Sequence, residues 1–502
     1  MGLWIGSKTL AANDHGVFAM EATSPVAVTP IGTGTVGLVG QFPWGPDDSI
    51  IEPSDVADRL QTIAPLGMDR TGSGYMAALG KAWPDLRLAR ALGSAAVKAS
   101  GLLLNSTPAT VVTIQGKYKG VAGNSIVATV KAATDGDANH FDLDVFVTGA
   151  DGATIDSWQN LNYSGTGADS VPDVTQARLV GAITKTIAGR PVNGNYSFTG
   201  GTDGTINAAS YSGTAGAGDK GLALFEGTPD IDAVFADDCG NSLRAAVNAA
   251  LVTHANTMGD RIAVLNGNSG QSAAAAQADV LNYSSVWAVY IDPWHYQRDD
   301  NGIERLVSPA AAFALVMANV APSTSPAWKA TEIRQMLQFI TRLETQRGAN
   351  AKNNARGGIC TLLKQTSGGH AFHAAVVTAA LASPSKKDVT RSRMGIFIAK
   401  SVVEALPEQI DAPNVAANRD VVIQAIQQFM NNLRDAQNND PNHNAHVVDW
   451  GWLDLVALNP QSEIQAGNFT PGWQVQTSAA MERIFPTIEF GPTVIVKASA
   501  GL

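Results

Sequence analysis

Eight histidines, two cysteines and scattered carboxylates are the side chains with which this 502-residue chain could do chemistry. A Ser-His-Asp triad needs a nucleophile on a strained turn or helix start, a base within hydrogen-bond reach and a carboxylate to orient it. Neither Gly-x-Ser-x-Gly nor Gly-Thr-Ser-x-Ala occurs in the sequence. His254 falls on a helical pattern, His295 in a turn, and His370 and His373 at a glycine-rich helix entry, so each reads as structural or solvated. His443 and His446, with Asp449 beyond them, could share a metal, but Gln437-Asn-Asn-Asp-Pro-Asn around them reads as a loop, and no Cys or Glu completes a ligand set. No catalytic residue, cofactor or metal is expected.

Two further motifs imitate binding sites. Gly32-Thr-Gly34-Thr-Val-Gly37 spells a dinucleotide fingerprint, which works only where a helix starts at the glycines and offers its amides to a pyrophosphate. Here the glycines run into Leu38-Val-Gly-Gln-Phe-Pro43-Trp-Gly-Pro46, which spells strand and turn. Asp135-Gly-Asp137-Ala-Asn139 opens like a calcium loop, but His140 and Phe146 occupy the positions that require Gly and a bidentate Glu. A solvated hairpin turn is the expectation there. Asn-x-Ser/Thr sequons at Asn105, Asn162, Asn195, Asn282 and Asn468 carry no weight without a signal peptide.

The elements that would position any site are clearest between Pro229 and Asp292. Strand-like Ile231–Phe235, helix-like Asn241–Met258, strand-like Arg261–Leu265, helix-like Gln271–Leu281 and the apolar run Ser285–Ile291 alternate as parallel strands and crossover helices do. At 502 residues the chain exceeds one ordinary core, and about three domains are expected. Residues 106–205 shift to Thr, Ser, Gly, Asp and Asn with strand patterns such as Phe141–Val147, predicting a β-rich insertion. Ala330–Arg347 and Asn418–Gln437 read as amphipathic helices.

Composition excludes several partners. A net charge of −10 with no basic block argues against nucleic acid or an anionic membrane surface. The longest apolar stretch, near Ala310–Val320, is well short of the roughly 20 residues a membrane helix needs. The N-terminus lacks a secretory pattern, and two cysteines, Cys239 and Cys360, fit buried thiols in a reducing compartment. Residues 1–24 carry Trp4, Ile5, Val17 and Phe18 without helical period, which predicts an extended arm seeking an apolar surface.

Val36-Gly-Leu-Val-Gly40 through Phe42-Pro-Trp-Gly-Pro46 resembles the opening of contractile tail sheath proteins of long-tailed bacteriophages and related injection devices. Gly116-Lys-Tyr-Lys-Gly120 through Gly123-Asn-Ser-Ile126 resembles that family's turn before a strand, with Val-Ala where a Trp often stands. Gly200-Gly-Thr-Asp-Gly204 resembles the return to the core, and Val286-Trp-Ala-Val-Tyr290 through Trp294-His295, Trp328-Lys-Ala and Lys386 through Arg393 follow in the family's order.

The resemblance implies a subtilisin-like α/β core over 25–105 plus 206–390, an outward-facing insertion over 106–205, and an α+β C-terminal domain over 391–502. It implies a non-enzymatic subunit that polymerises with itself as stacked six-fold rings around an inner tail tube protein, ending at baseplate and tail terminator proteins in a virion tail. The N-terminal arm and the strand Thr493, Val494, Ile495, Val496, Lys497 are the expected links between subunits, and Arg419, Arg434 and Asp435 the expected tube contacts. Another virion coat or surface-layer protein is the alternative, and an intracellular α/β hydrolase the third.

Overall fold

The computed structural model describes Val28 and residues 32–477, except 53–55, 80–82, 150–153, 166, 214–219, 238, 300, 330–338, 343–348, 366–368, 383–386, 408–412 and 440–446. Its centre is a seven-stranded sheet of β1 (Thr35–Gly40), β2 (Asp85–Arg90), β3 (Ala233–Ala236), β4 (Ile262–Asn266), β5 (Ala288–Asp292), β6 (Ile359–Lys364) and β7 (His370–Phe372). The order is β7-β6-β5-β4-β3-β1-β2, parallel throughout except for the β6–β7 edge. Helix α1 (Asn241–Met258) crosses from β3 to β4, as the alternation of apolar runs predicts.

Strands covered on both faces need apolar residues at successive positions, because successive side chains point to opposite sides. In β3, Ala233 and Phe235 join the cluster that packs against α2 (Pro309–Ala318), whereas Val234 and Ala236 join the opposite cluster with Val247 and Leu251 of α1. That is why these runs do not alternate with polar residues. Helix α2 is buried along nearly its whole length and carries no charged side chain.

Pro309 opens α2, as expected, but Ser308 at its N-cap makes no side-chain capping bond. The Ala310 amide donates instead to Asn266 Oδ1 at 2.9 Å, so a residue from β4 caps the helix. A second expectation is corrected at Phe339 and Ile340. Read as part of a helix, they pair as a strand with Tyr296 and His295, a tertiary override of local periodicity.

The β-rich part holds two antiparallel sheets. One runs Asp156–Asn162, His140–Val147, Ile126–Ala132, Gly194–Ser197, and the other Lys98–Leu104, Thr110–Lys119, Val180–Lys185. Their inner residues, among them Leu103, Ile114, Val130, Phe141 and Leu143, form one cluster. C-terminal to the sheet, α3 (Val389–Ala405), α4 (Ala416–Asn439) and a hairpin of Val447–Trp452 with Trp473–Thr477 share a cluster of Met394, Ile398, Ile426, Phe429 and Met430.

Candidate functional site

Open parallel sheets bind ligands beyond the carboxyl ends of strands where the order reverses, which here is between β1 and β3. That crevice is filled by its own side chains. Fully buried Asp237 accepts hydrogen bonds from the Gln41 amide at 2.8 Å, Ser73 Oγ at 2.9 Å and the Tyr211 hydroxyl at 2.9 Å. Gln41 Nε2 in turn donates to the Tyr211 oxygen at 2.8 Å. Burial beside the carboxylate pushes the Tyr211 phenol far above its usual range, so it stays a neutral donor.

Gly37 lies inside β1, and a Cβ there would come within 2.9 Å of the Phe225 ring. Its glycine serves strand packing, and no helix follows it directly.

Beyond β4 and β5 a second polar cluster is equally internal. Asp292 is paired with Arg342 and accepts from Gln271 Nε2 at 3.2 Å. The Tyr290 hydroxyl donates to Asp279 at 2.6 Å, Trp294 donates its indole N–H to the Gly267 carbonyl at 2.7 Å, and the Arg244 guanidinium sits 4.8 Å over the Trp294 ring.

The histidines are not gathered. His254 is buried on α1 near Arg261, and burial plus that guanidinium lower its pKa to about 4. His295 lies wholly buried in a short strand rather than a turn, with its pKa lowered to about 3 by burial. His370 is in β7, and His373 packs edge-on against Trp328. His443 and His446 lie outside the described residues, and Asp449 sits exposed in the C-terminal hairpin. Among the described residues no cluster of three or more His, Cys, Asp or Glu could hold a metal. In the calcium-like loop, Asp135 pairs with His140 Nδ1 at 2.6 Å, holding the carboxyl below and the imidazole above their ordinary ranges. Both cysteines are buried thiols outside any disulfide, and burial pushes the Cys360 thiol up to about 12. No helix among the described residues is long and apolar enough to cross a membrane.

The residues that organise the molecule are ones the sequence reading missed. Arg90, at the end of β2, is 1% exposed and donates to the carbonyls of Phe42 at 2.7 Å, Pro43 at 2.9 Å, Gly45 at 2.9 Å and Lys119 at 2.7 Å. It fastens the loop after β1 to the β-rich part. From the same loop Trp44 enters the β-rich cluster and donates its indole N–H to the Arg178 carbonyl at 3.0 Å. Arg393 likewise gathers the carbonyls of Met317, Val320, Ala321 and Thr324 at the end of α2. Lone arginines beside apolar runs were the available signal.

In the C-terminal part, Arg419 donates to the Asn414 carbonyl at 2.9 Å and to its side chain at 3.0 Å, and Arg434 pairs with its neighbour Asp435 at 3.0 Å. Both guanidiniums are therefore engaged within their own subunit. Between α3 and the hairpin lies a groove of about 630 Å³, lined in part by Trp287, Ile398, Trp473 and Val475. Trp4, Ile5, Val17 and Phe18, and Thr493 to Lys497, lie outside the described residues.

No family model and no curated protein matches the chain. Among solved structures, a sheath tail protein from Desulfitobacterium hafniense is similar at 18% identity with a TM-score of 0.60, over 87% of this chain and 93% of that one. A sheath tail protein from Listeria innocua is similar at 16% identity and a TM-score of 0.58, over 81% and 86%. The helical sheath of the anti-feeding prophage in its contracted state is similar at 11% identity and a TM-score of 0.55, over 97% and 100%. At these identities the likeness is one of architecture, and the chain carries the mixed α/β fold of the sheath tail proteins.

Proposed function

We propose that this protein is the structural subunit of a contractile tail sheath, polymerising as a helical sleeve around an inner tube and contracting to drive that tube through a cell envelope. The observation that carries the reading is the match to a contracted helical sheath over 97% of this chain and the whole of the other. A match of that extent leaves little of the chain for an unrelated role. Electron microscopy of the purified protein tests it: helical tubes are expected, whereas compact monomers with esterase or protease turnover would replace the sheath by a hydrolase.

In this reading the subunit stacks in six-fold rings in a virion tail or phage-tail-like particle, between baseplate and terminator proteins. It is not an enzyme, a view supported by the internal donors that occupy Asp237 at the sheet end where ligands usually sit. The chain divides into an arm over 1–24, a subtilisin-like core over 25–105 with 206–390, an insertion over 106–205 and a C-terminal domain over 391–502. The N-terminal arm and the strand Thr493–Lys497 add to sheets of neighbouring subunits, and Arg419, Arg434 and Asp435 face the tube.

A further inference from the structure

Charge is segregated along the sequence and, in the fold, to opposite ends of the central sheet. Between Lys8 and Arg59 there is no basic residue, and between Glu344 and Asp388 no acidic one. The first run reaches β2 through the pairing of Ile51 with Leu88, the second contains β6 and β7, and β2 and β7 end the seven-stranded order. Six spacings of about 4.8 Å put those ends roughly 29 Å apart. Both ends are blunted against a further strand. Ile51 exchanges hydrogen bonds with Leu88 at 2.9 and 3.0 Å, and the Trp328 amide donates to the Phe372 carbonyl of β7 at 3.0 Å. Contact at such edges falls to side chains rather than to β-pairing.

At the β2 end Glu52, Asp85 and Asp230 all pair with the single guanidinium of Arg87, at 2.9, 3.2 and 3.1 Å, and Asp48 is exposed in the same run as Glu52. Three carboxylates on one cation leave a surplus of negative charge. At the β7 end the surplus is positive. Helix Ala349–Gly357 packs on β6, its buried Asn354 donating to Thr361 Oγ1 at 3.0 Å, and leaves Lys352 and Arg356 exposed one helical turn apart. Lys364 is exposed at the end of β6, opposite His370 of β7. None of these three cations makes an ion pair among the described residues. Burial and the charge of Lys352 hold the His373 imidazole below its ordinary range, which places that lysine beside the end of β7. Edge-on to His373, Trp328 is 40% exposed and has a left-handed φ of 62°, an outlier for so bulky a residue that its contacts must hold in place. An exposed tryptophan beside unpaired cations has the composition of an interface anchor.

We propose that these ends are the two halves of one contact between copies of this chain, the basic end of one subunit meeting the acidic end of the next. An end-to-end contact with two-fold symmetry would set each patch against its own kind, cations facing cations or carboxylates facing carboxylates. Head-to-tail contact sets opposite charges together, and because it uses a different patch on each partner it continues from copy to copy as a ring or a helix. That the ends meet follows from the charges; that the series becomes a sleeve around a tube rests on the sheath reading. Charges at the rim of such a contact govern the rate of encounter and the choice of partner more than its final strength, while Trp328 supplies apolar area to bury.

Two full-length variants test this by mixing. Lys352→Glu, Arg356→Glu and Lys364→Glu together make both ends acidic; Asp48→Lys, Glu52→Lys and Asp230→Lys together make both basic. Association, read by sedimentation velocity and electron microscopy, is expected to fall by about tenfold or more in each variant alone and to return in an equal mixture, whose copies must alternate. Association of either variant alone at the parent's level would overturn the proposal, and so would a mixture no better than its parts or a parent that stays monomeric. The first variant removes no ion pair, so its melting is expected to stay within a few degrees of the parent's. If loss of the partners of Arg87 unfolds the second, the first decides through salt. Between about 0.1 and 1 M, where screening shortens from about 10 to about 3 Å, the parent's association should weaken and the variant's strengthen. Weakening in both would overturn the proposal. Alternating oligomers that never form tubes would remove the sheath reading and leave this contact in place, whereas tubes from each variant alone would remove the contact and leave the sheath.

Discussion

Asn124 and Gly201 exchange a pair of hydrogen bonds, Asn124 Nδ2 donating to the Gly201 carbonyl at 2.9 Å and the Gly201 amide donating to Asn124 Oδ1 at 2.8 Å. The pairing joins the turn between the strands Thr110–Lys119 and Ile126–Ala132 to the glycine run that leaves the β-rich part. Gly201 has to be small, because a Cβ there would stand 2.5 Å from the Gly120 carbonyl oxygen. Asn124→Ala is expected to destabilise the protein by about 1 to 3 kcal/mol, since two backbone groups lose their partner. Gly201→Ala is expected to cost a similar amount, about 1 to 3 kcal/mol, by overpacking. Urea midpoints with an unchanged slope check both.

Arg90 is the larger commitment at the same junction. Its planar fork satisfies four carbonyls at once, and Arg90→Met would leave them all without a donor in a buried place. A loss of about 3 kcal/mol or more is expected. Arg90→Lys recovers only part, because an ammonium cannot reach carbonyls spread over that fork. Limited proteolysis should cut the Gln41–Asp47 loop faster in both variants; resistance equal to the parent protein's would mean the guanidinium does not hold the loop.

The elements were far more legible than the contacts between them. Consecutive apolar residues in Ile231–Phe235 and Arg261–Leu265 announce strands covered on both faces, and the described β3 and β4 fall within a few residues of them. Helix α4 likewise matches the amphipathic run from Asn418. Phe339 and Ile340 escaped because a partner strand, itself remote in sequence, decides their state. Arg90 escaped for the same kind of reason: its acceptors are carbonyls 29 to 48 residues away, and backbone oxygens leave no trace in residue type. At the sheet end, Gly32-x-Gly34-x-x-Gly37 shows the converse, a motif whose last glycine answers to strand packing against Phe225 and Val234.

Acid sensitivity follows from His254 and His295, with folded pKa values lowered by burial to about 4 and about 3. An unfolded histidine titrates near 6.5, so between these values the unfolded chain binds more protons. The contribution to stability is unaffected above about pH 6.5 and falls as the pH drops through the window toward the folded values. At pH 5 each histidine costs about 2 kcal/mol relative to neutral pH. His295→Leu is expected to flatten the decline between pH 6.5 and 4 in denaturation curves; an unaltered slope would show that His295 charges without opening the structure.

For the proposed tube contact, Arg434 and Asp435 neutralise each other at 3.0 Å, and an exposed pair of that kind adds little to the fold. Reversing Arg434 to Glu is therefore expected to leave the melting temperature within a degree or so of the parent's. Assembly on tubes should be impaired, because two adjacent carboxylates would replace a neutral pair. Arg419→Glu differs, since it also breaks the bonds to Asn414 and should loosen the start of α4. Sedimentation with tubes stripped from the particle checks this; undiminished binding of the Arg434→Glu protein would remove that residue from the contact.

The N-terminal arm supplies the last test of polymerisation. Trp4, Ile5, Val17 and Phe18 are costly to leave in water, while β1 begins at Thr35 and lies buried between β2 and β3. If the arm adds a strand to a neighbour, each backbone hydrogen bond contributes about 1 kcal/mol and a five-residue strand a few kcal/mol. That is too little to hold a dilute pair of subunits together. Repeated at every subunit of a filament, it suffices to hold a lattice whose members are each tied to several others. Deleting residues 1–20 is therefore expected to leave the circular dichroism and melting of the subunit unchanged while abolishing tubes in electron micrographs. Tubes of normal length from the shortened chain would show that the arm does not link subunits.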